Sequence, residues 1–160
     1  MLIFSGGTGT PKLIRGIQEV FEPNQINIVA NTADDVWMTN NLVCPDLDTI
    51  IYTLKGIIDD DDWWGIKNDT FKTHQFLLQN GFNEYMKIGD KDRAIHLKRT
   101  ELLEQKNLTQ ATKQITKQLG IKENVFPMTN DEVNTIITTS DKERHHFQDW
   151  WINHSEKEIE

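Results

Sequence analysis

Cysteine is almost absent from this 160-residue chain: Cys44 stands alone, so no disulfide can close within it, and a reducing, cytoplasmic setting is expected. No apolar run approaches the roughly 20 residues of a membrane helix, and the N terminus carries no secretory pattern. Positive charge is also scarce. Against 25 Asp and Glu there are 17 Lys and Arg, a net charge of −8 with no basic stripe, which argues against nucleic-acid and membrane partners. What remains, 37% hydrophobic and 26% charged, describes one globular domain with a sizeable core. A phosphate ligand would be repelled by such a surface unless backbone N–H groups and a divalent cation held by carboxylates offset the charge locally.

The N terminus has the parts for that. The apolar run Met1–Phe4 drops into Ser5-Gly-Gly-Thr-Gly-Thr-Pro-Lys12 and then into a helical pattern through Ile14 and Ile17. Strand, glycine turn and helix N-terminus in succession form an anion cradle, because glycines allow close approach and φ > 0 while the first helical N–H groups have no partners. Thr10 is expected as N-cap and Pro11 as the first helical residue. The candidate phosphate contacts are Gly6, Gly7, Thr8, Gly9, Thr10 and Lys12. The spacing matches neither the dinucleotide nor the Walker fingerprint, so the turn alone names no ligand.

Residues 26–30 read as a second strand, completing a βαβ unit. Asn31, Asp34, Asp35 and Trp37 follow at its carboxyl end, where open α/β sheets bind ligands. A helix beginning at Pro45 keeps apolar period through Leu47, Ile50, Ile51 and Leu54, with Asp46 and Asp48 in its first turn. Asp59–Asp62 reads as a solvated loop. Further helices are expected from Asp69 to Asn80, from just after Gly89–Asp92 through Leu103 and from Thr109 to Leu119, and strands at 124–128 and 133–139. Residues 147–152 fit a strand or a short helix. The fold class is therefore α/β: a Rossmann-like, open and mainly parallel sheet with a helical insertion at about 46–120. It reads as truncated, since few strands are in hand.

Four clusters carry possible chemistry: the glycine turn, Asn31 with Asp34 and Asp35, Asp46 with Asp48, and Lys87 with Gly89–Asp92. A phosphate cradle beside carboxylates suits metal-assisted phosphoryl transfer, although each aspartate alone reads more readily as a cap or turn former. Trp37 could face an aromatic substrate. The histidines (His74, His96, His145, His146, His154) show no zinc-ligand spacing, and a structural role is expected for them.

Taken in order, Ser5–Lys12, Asn31-Thr-Ala-Asp-Asp-Val-Trp37, Cys44-Pro-Asp-Leu-Asp-Thr49, Trp64-Gly-Ile66, Asp69-Thr-Phe71, Gly89-Asp-Lys-Asp92, and His96 with Arg99–Leu103 resemble the 2-phospho-L-lactate transferase family, CofD, of coenzyme F-420 biosynthesis. The resemblance covers essentially the whole chain. It implies a Mg²⁺-dependent transferase that moves a phospholactyl or phosphoenolpyruvyl group from a guanosine diphosphate conjugate to the deazaflavin Fo, releasing GMP. It further implies that the glycine turn meets the phosphates, that Asp48 and Lys87 contact Fo with Asn31 and Trp37 nearby, and that Asp34, Asp35 and Asp48 supply catalysis while Asp35 and Asp46 hold metal. Which aspartate is base and which holds metal stays open.

Members of that family run to roughly twice this length, so the chain resembles an N-terminal half; a homodimer is the implied assembly. Two alternatives remain. One is a related group of nucleotide-sugar-binding regulators, which carry a glycine- and serine-rich run where this chain has Val36-Trp37-Met38. The other is an inactive truncated fragment.

Overall fold

The computed structural model describes residues 1–7 and 9–160; Thr8, and with it the part expected of it in the glycine turn, lies outside them. Three parallel strands, β1 (Leu2–Ser5), β2 (Asn27–Ala30) and β5 (Asn124–Pro127), form a sheet in the order β1-β2-β5. Leu2 lies opposite Asn27, and Asn27 opposite Asn124. α1 (Gly9–Gln18) makes the crossover from β1 to β2. The chain then forms the hairpin β3 (Val36–Met38) and β4 (Asn41–Val43) and the helices α2 (Pro45–Lys55), α3 (Lys72–Gln79), α4 (Asp90–Leu103) and α5 (Leu108–Gln118) before β5. A second hairpin, β6 (Ile136–Thr138) with β7 (Arg144–His146), leads into α6 (Phe147–Asn153).

Strand alternation decides where the core sits. Ile3, Ile28, Ala30 and Val125 turn to one face of the sheet and pack with Ile14 of α1, Leu47 and Ile50 of α2 and Leu108 of α5. Each fully buried isoleucine or leucine contributes roughly 1.5–3 kcal/mol. The opposite face leaves Leu2, Phe4 and Phe126 exposed, whereas parallel sheets normally have both faces covered.

The α/β class and the parallel sheet are as expected, with differences in detail. The glycine turn uses no left-handed backbone at Gly6 or Gly7, so close approach to Asp46 is what calls for glycine at Gly7. α1 begins at Gly9, so Thr10 lies inside it; Pro11 is tolerated there because first-turn N–H groups lack helical partners. The expected strand 133–139 shortens to β6 and pairs antiparallel with β7, outside the parallel sheet. Residues 147–153 are helical, one of the two expected forms. The β3–β4 hairpin was not expected, and its turn puts Thr39 and Asn40 at φ 46° and 60°, the conformation a two-residue hairpin loop needs.

Asp69 also changes role. α3 starts at Lys72, and Asp69 instead accepts hydrogen bonds from the N–H groups of Lys91 (2.9 Å) and Asp92 (3.0 Å) at the start of α4. Asp90, the first residue of α4, does the same for α3, accepting from the N–H groups of Lys72 and Thr73, each at 3.0 Å. The two helix N-termini cap one another, so much of the acidic Gly89–Asp92 cluster serves as scaffold.

Candidate functional site

The turn after β1 and the loop after β2 meet at the carboxyl edge of the sheet. Asn31 leaves β2 and orients two carboxylates with one amide: its Nδ2 donates to Asp46 Oδ2 (2.9 Å) and to Asp34 Oδ2 (3.2 Å). Its own Oδ1 accepts the Ala33 N–H at 3.1 Å, fixing the loop. Asp46 arrives from the first turn of α2, and Gly7 lies so close that a Cβ there would fall 2.8 Å from Asp46 Oδ1. Two carboxylates sharing a single donor in a partly desolvated site resist ionisation. Burial, reinforced by the Asp34 charge, pushes Asp46 up to about 6 against the Asn31 hydrogen bond, and burial likewise raises Asp34.

Gly7, Asp34, Asp46 and Lys87 line one cleft of about 640 Å³, walled by Trp64, Tyr85, Phe147 and Trp151. Lys87 lies over the Phe71 ring, 4.3 Å from its centroid. α6 reaches the cleft because the β6–β7 unit docks on the loop after β2: Thr135 N–H donates to the Ala33 carbonyl (2.6 Å) and His146 Nε2–H to the Asp35 carbonyl (3.0 Å). Lys12 stacks instead on Trp63, 5.1 Å from the ring centroid.

Other expected site residues sit elsewhere. Asp35 and the exposed Trp37 line a second, smaller cleft of about 240 Å³ with Leu42, Leu103 and Asn107. Asp35 sits beside Cys44, and burial pushes its carboxyl up to about 7. One of its oxygens, Oδ1, is buried with no hydrogen-bond partner.

Asp48 is 4% exposed and lies behind the first cleft. Arg99 grips both of its oxygens, with Nη1 at 3.1 Å from Oδ2 and Nη2 on Oδ1. His96 Nε2 stands 3.1 Å from Asp48 Oδ2 and 3.0 Å from Asp92 Oδ1, and Asp92 in turn accepts the Tyr52 hydroxyl at 2.5 Å. Burial opposes charge on Asp48, His96 and Arg99. The mutual attraction wins, holding Asp48 well below the usual carboxylate range and raising His96 to about 9. With both carboxylates matched by cations, the Asp48–Asp92–His96 cluster is a closed ion-pair network.

Sequence reasoning missed the cleft aromatics Trp64, Tyr85 and Trp151 and the buried Arg99. A signal existed for Arg99: Asp92, His96 and Arg99 fall at i, i+4 and i+7 on one face of α4. For Trp151 the signal was an aromatic pair in an otherwise polar stretch.

A parallel α/β sheet with a glycine turn and paired carboxylates at its carboxyl edge defines an open α/β domain, the class that places ligand sites at that edge. The sequence model of the family described as 2-phospho-L-lactate transferase CofD matches residues 1–160, and the chain belongs to that family. It is 47% identical over 153 residues to the 2-phospho-L-lactate transferase of Methanococcoides burtonii, covering 95% of this chain and 50% of that protein. Against the Methanopyrus kandleri protein of the same name it is 42% identical, covering 98% of this chain and 50% of that one. The chain thus spans about half the length of the curated relatives it matches. A UPF0052-family crystal structure from Bacillus halodurans superposes with a TM-score of 0.54 at 18% identity, covering 99% of this chain and 48% of that one, which supports the fold. Among the described residues no helix is long and apolar enough to cross a membrane.

Proposed function

We propose that this chain carries the acceptor and phosphate site of a transferase that moves a phospholactyl or phosphoenolpyruvyl group from a guanosine diphosphate conjugate to the deazaflavin Fo, releasing GMP. The observation that carries this reading is the convergence of Gly7, Asp34, Asp46 and Lys87 on one aromatic-walled cleft. In the reaction the terminal ribityl hydroxyl of Fo attacks the phosphorus that bears the lactyl or enolpyruvyl group. A new P–O bond forms, the bridging P–O bond to GMP breaks, and the hydroxyl proton leaves.

Each group in the cleft has a part. The glycine turn lets the phosphates approach the backbone at the start of α1. Asp46, raised by burial to about 6, takes up a proton more readily than an exposed carboxylate does. Lys87 offsets the negative charge of the donor, and Trp64, Tyr85 and Trp151 offer faces to the flat deazaflavin. Asp34 and Asp46 fit Mg²⁺, since they present hard carboxylate oxygens held together by the Asn31 amide. Bound there with the donor's phosphate oxygens, Mg²⁺ would neutralise the charge that develops on the leaving phosphate. Asp48, gripped by Arg99 and His96, holds the first turn of α2 in place and so positions Asp46.

The test is titration of the 160-residue chain with Fo, followed by deazaflavin fluorescence, with and without Mg²⁺ and GDP. Saturable binding that is lost in Lys87→Ala is expected. A folded chain that binds a nucleotide sugar but never Fo would overturn the transferase reading in favour of a regulatory one.

A further inference from the structure

The second hairpin and its helix hold a cluster of side chains that the transferase reading does not use. His145 lies in β7 just before α6, Asp149 is in the first turn of α6, and His154 follows its last residue. The linear spacing matches no common zinc pattern, yet α6 brings the three together. His145 Nδ1 is 3.5 Å from Asp149 Oδ2, and His154 Nε2 is 3.8 Å from that same oxygen. One ligand atom from each residue falls within 4.8 Å of the others, and the two imidazole rings stand 4.4 Å apart between centroids.

We propose that His145, Asp149 and His154 bind a transition-metal dication, zinc above all. The separations are long for hydrogen bonds. They suit atoms arranged around a shared ion, because two ligands each about 2.0–2.1 Å from a tetrahedral zinc lie about 3.4 Å apart. The surroundings are equally specific. Asp149 keeps Oδ2 towards the histidines because its Oδ1 accepts Asn153 Nδ2 at 2.9 Å. His145 Nε2 is buried without a hydrogen bond, 3.4 Å from Glu143 Oε2. A metal on Nδ1 would fix the tautomer with the proton on Nε2, aimed at Glu143. That is the carboxylate–histidine–metal relay by which outer groups orient a ligand.

Two imidazoles and one carboxylate select zinc, cobalt, nickel or copper over magnesium, so this site is chemically distinct from the Asp34 and Asp46 carboxylate pair. Asp149 and His154 remain about one-third exposed, which leaves the ion a path in and a position for water. The consequence is mechanical. α6 has only 7 residues, far below the roughly 12–15 an isolated helix needs. A metal joining its two ends would clamp the segment that carries Phe147 and Trp151 into the large cleft.

Cobalt(II) is the probe, added to the untagged 160-residue chain and read by its visible d–d absorption. One equivalent is expected to bind with the strong bands of a low-coordinate site, to be displaced by Zn²⁺, and to be unaffected by Mg²⁺. His145→Gln and His154→Gln should each weaken Co²⁺ binding by at least about tenfold, in the range seen for lost ligands and their supporting groups. His154 follows the end of α6, and far-UV circular dichroism checks that its variant folds. Absence of a Co²⁺ spectrum in the folded chain, or unchanged affinity in both variants, overturns the proposal. The outcome does not depend on Fo binding.

Discussion

Removing the charge of Asp48 is the sharpest perturbation the structure offers. In Asp48→Asn the two bonds from Arg99 and the contact with His96 lose their anion, leaving two buried cations opposite Asp92 alone. Breaking a buried ion pair from one side typically costs about 3–5 kcal/mol, a large share of the roughly 5–15 kcal/mol that holds a domain folded. With a urea dependence of about 2 kcal/mol per molar, the unfolding midpoint should fall by about 1.5–2.5 M. The pH dependence gives a second signature. His96 is raised in the folded state from 6.5 to about 9, so its stabilisation is complete below the unfolded value and disappears as pH rises through about 9. The parent chain should therefore lose stability across that window, and Asp48→Asn should show a much flatter profile. A midpoint shift under about 0.5 M, or an unchanged alkaline profile, would refute the assignment of Asp48 to a closed network.

Three further outcomes are expected. Gly7→Ala places a Cβ 2.8 Å from Asp46 Oδ1 and should displace that carboxylate and weaken phosphate-ligand binding, while Gly9→Ala, with nothing within 4 Å, should be tolerated; isothermal titration with GDP compares them. Asp69→Ala removes the cap of α4 and should cost about 0.5–2 kcal/mol in urea unfolding; Gly89→Ala, whose Cβ would overlap the Asp69 carboxylate, should act in the same direction. Asp46 is raised from 3.8 to about 6, so folding favours its protonated form and its contribution to stability falls as pH rises through that interval. A cation that binds the ionised form reverses this, and the thermal shift produced by Mg²⁺ should grow from about pH 5 to about pH 8, with affinity falling about tenfold per pH unit below the carboxylate's pKa.

Much of the architecture was legible because local rules agreed with the fold. The run Met1–Phe4, the glycine turn and the period of α2 each pointed to the element that formed. The β3–β4 hairpin was not legible, because its turn uses Thr39 and Asn40 at positive φ where glycine would have announced it. Asp69 and Asp90 could be recognised as capping residues, but which helix each caps depends on how α3 and α4 meet in space. The same holds for the aspartates of the site. Asp46 and Asp48 sit two apart in the first turn of α2, and helical geometry sends one towards Asn31 and the other towards Arg99. Asp34 and Asp35 diverge in the same way between the two clefts. Sequence marked the acidic pairs; packing chose the member of each that faces the glycine turn.

That choice is open to direct test. Mn²⁺ binding in the presence of GDP, measured by electron paramagnetic resonance in Asp34→Asn and Asp35→Asn, reports which carboxylate belongs to the phosphate cleft. Asp34→Asn should lose the bound Mn²⁺ signal while Asp35→Asn retains it. Retention in Asp34→Asn with loss in Asp35→Asn would move the metal to the second cleft and contradict the site proposed here.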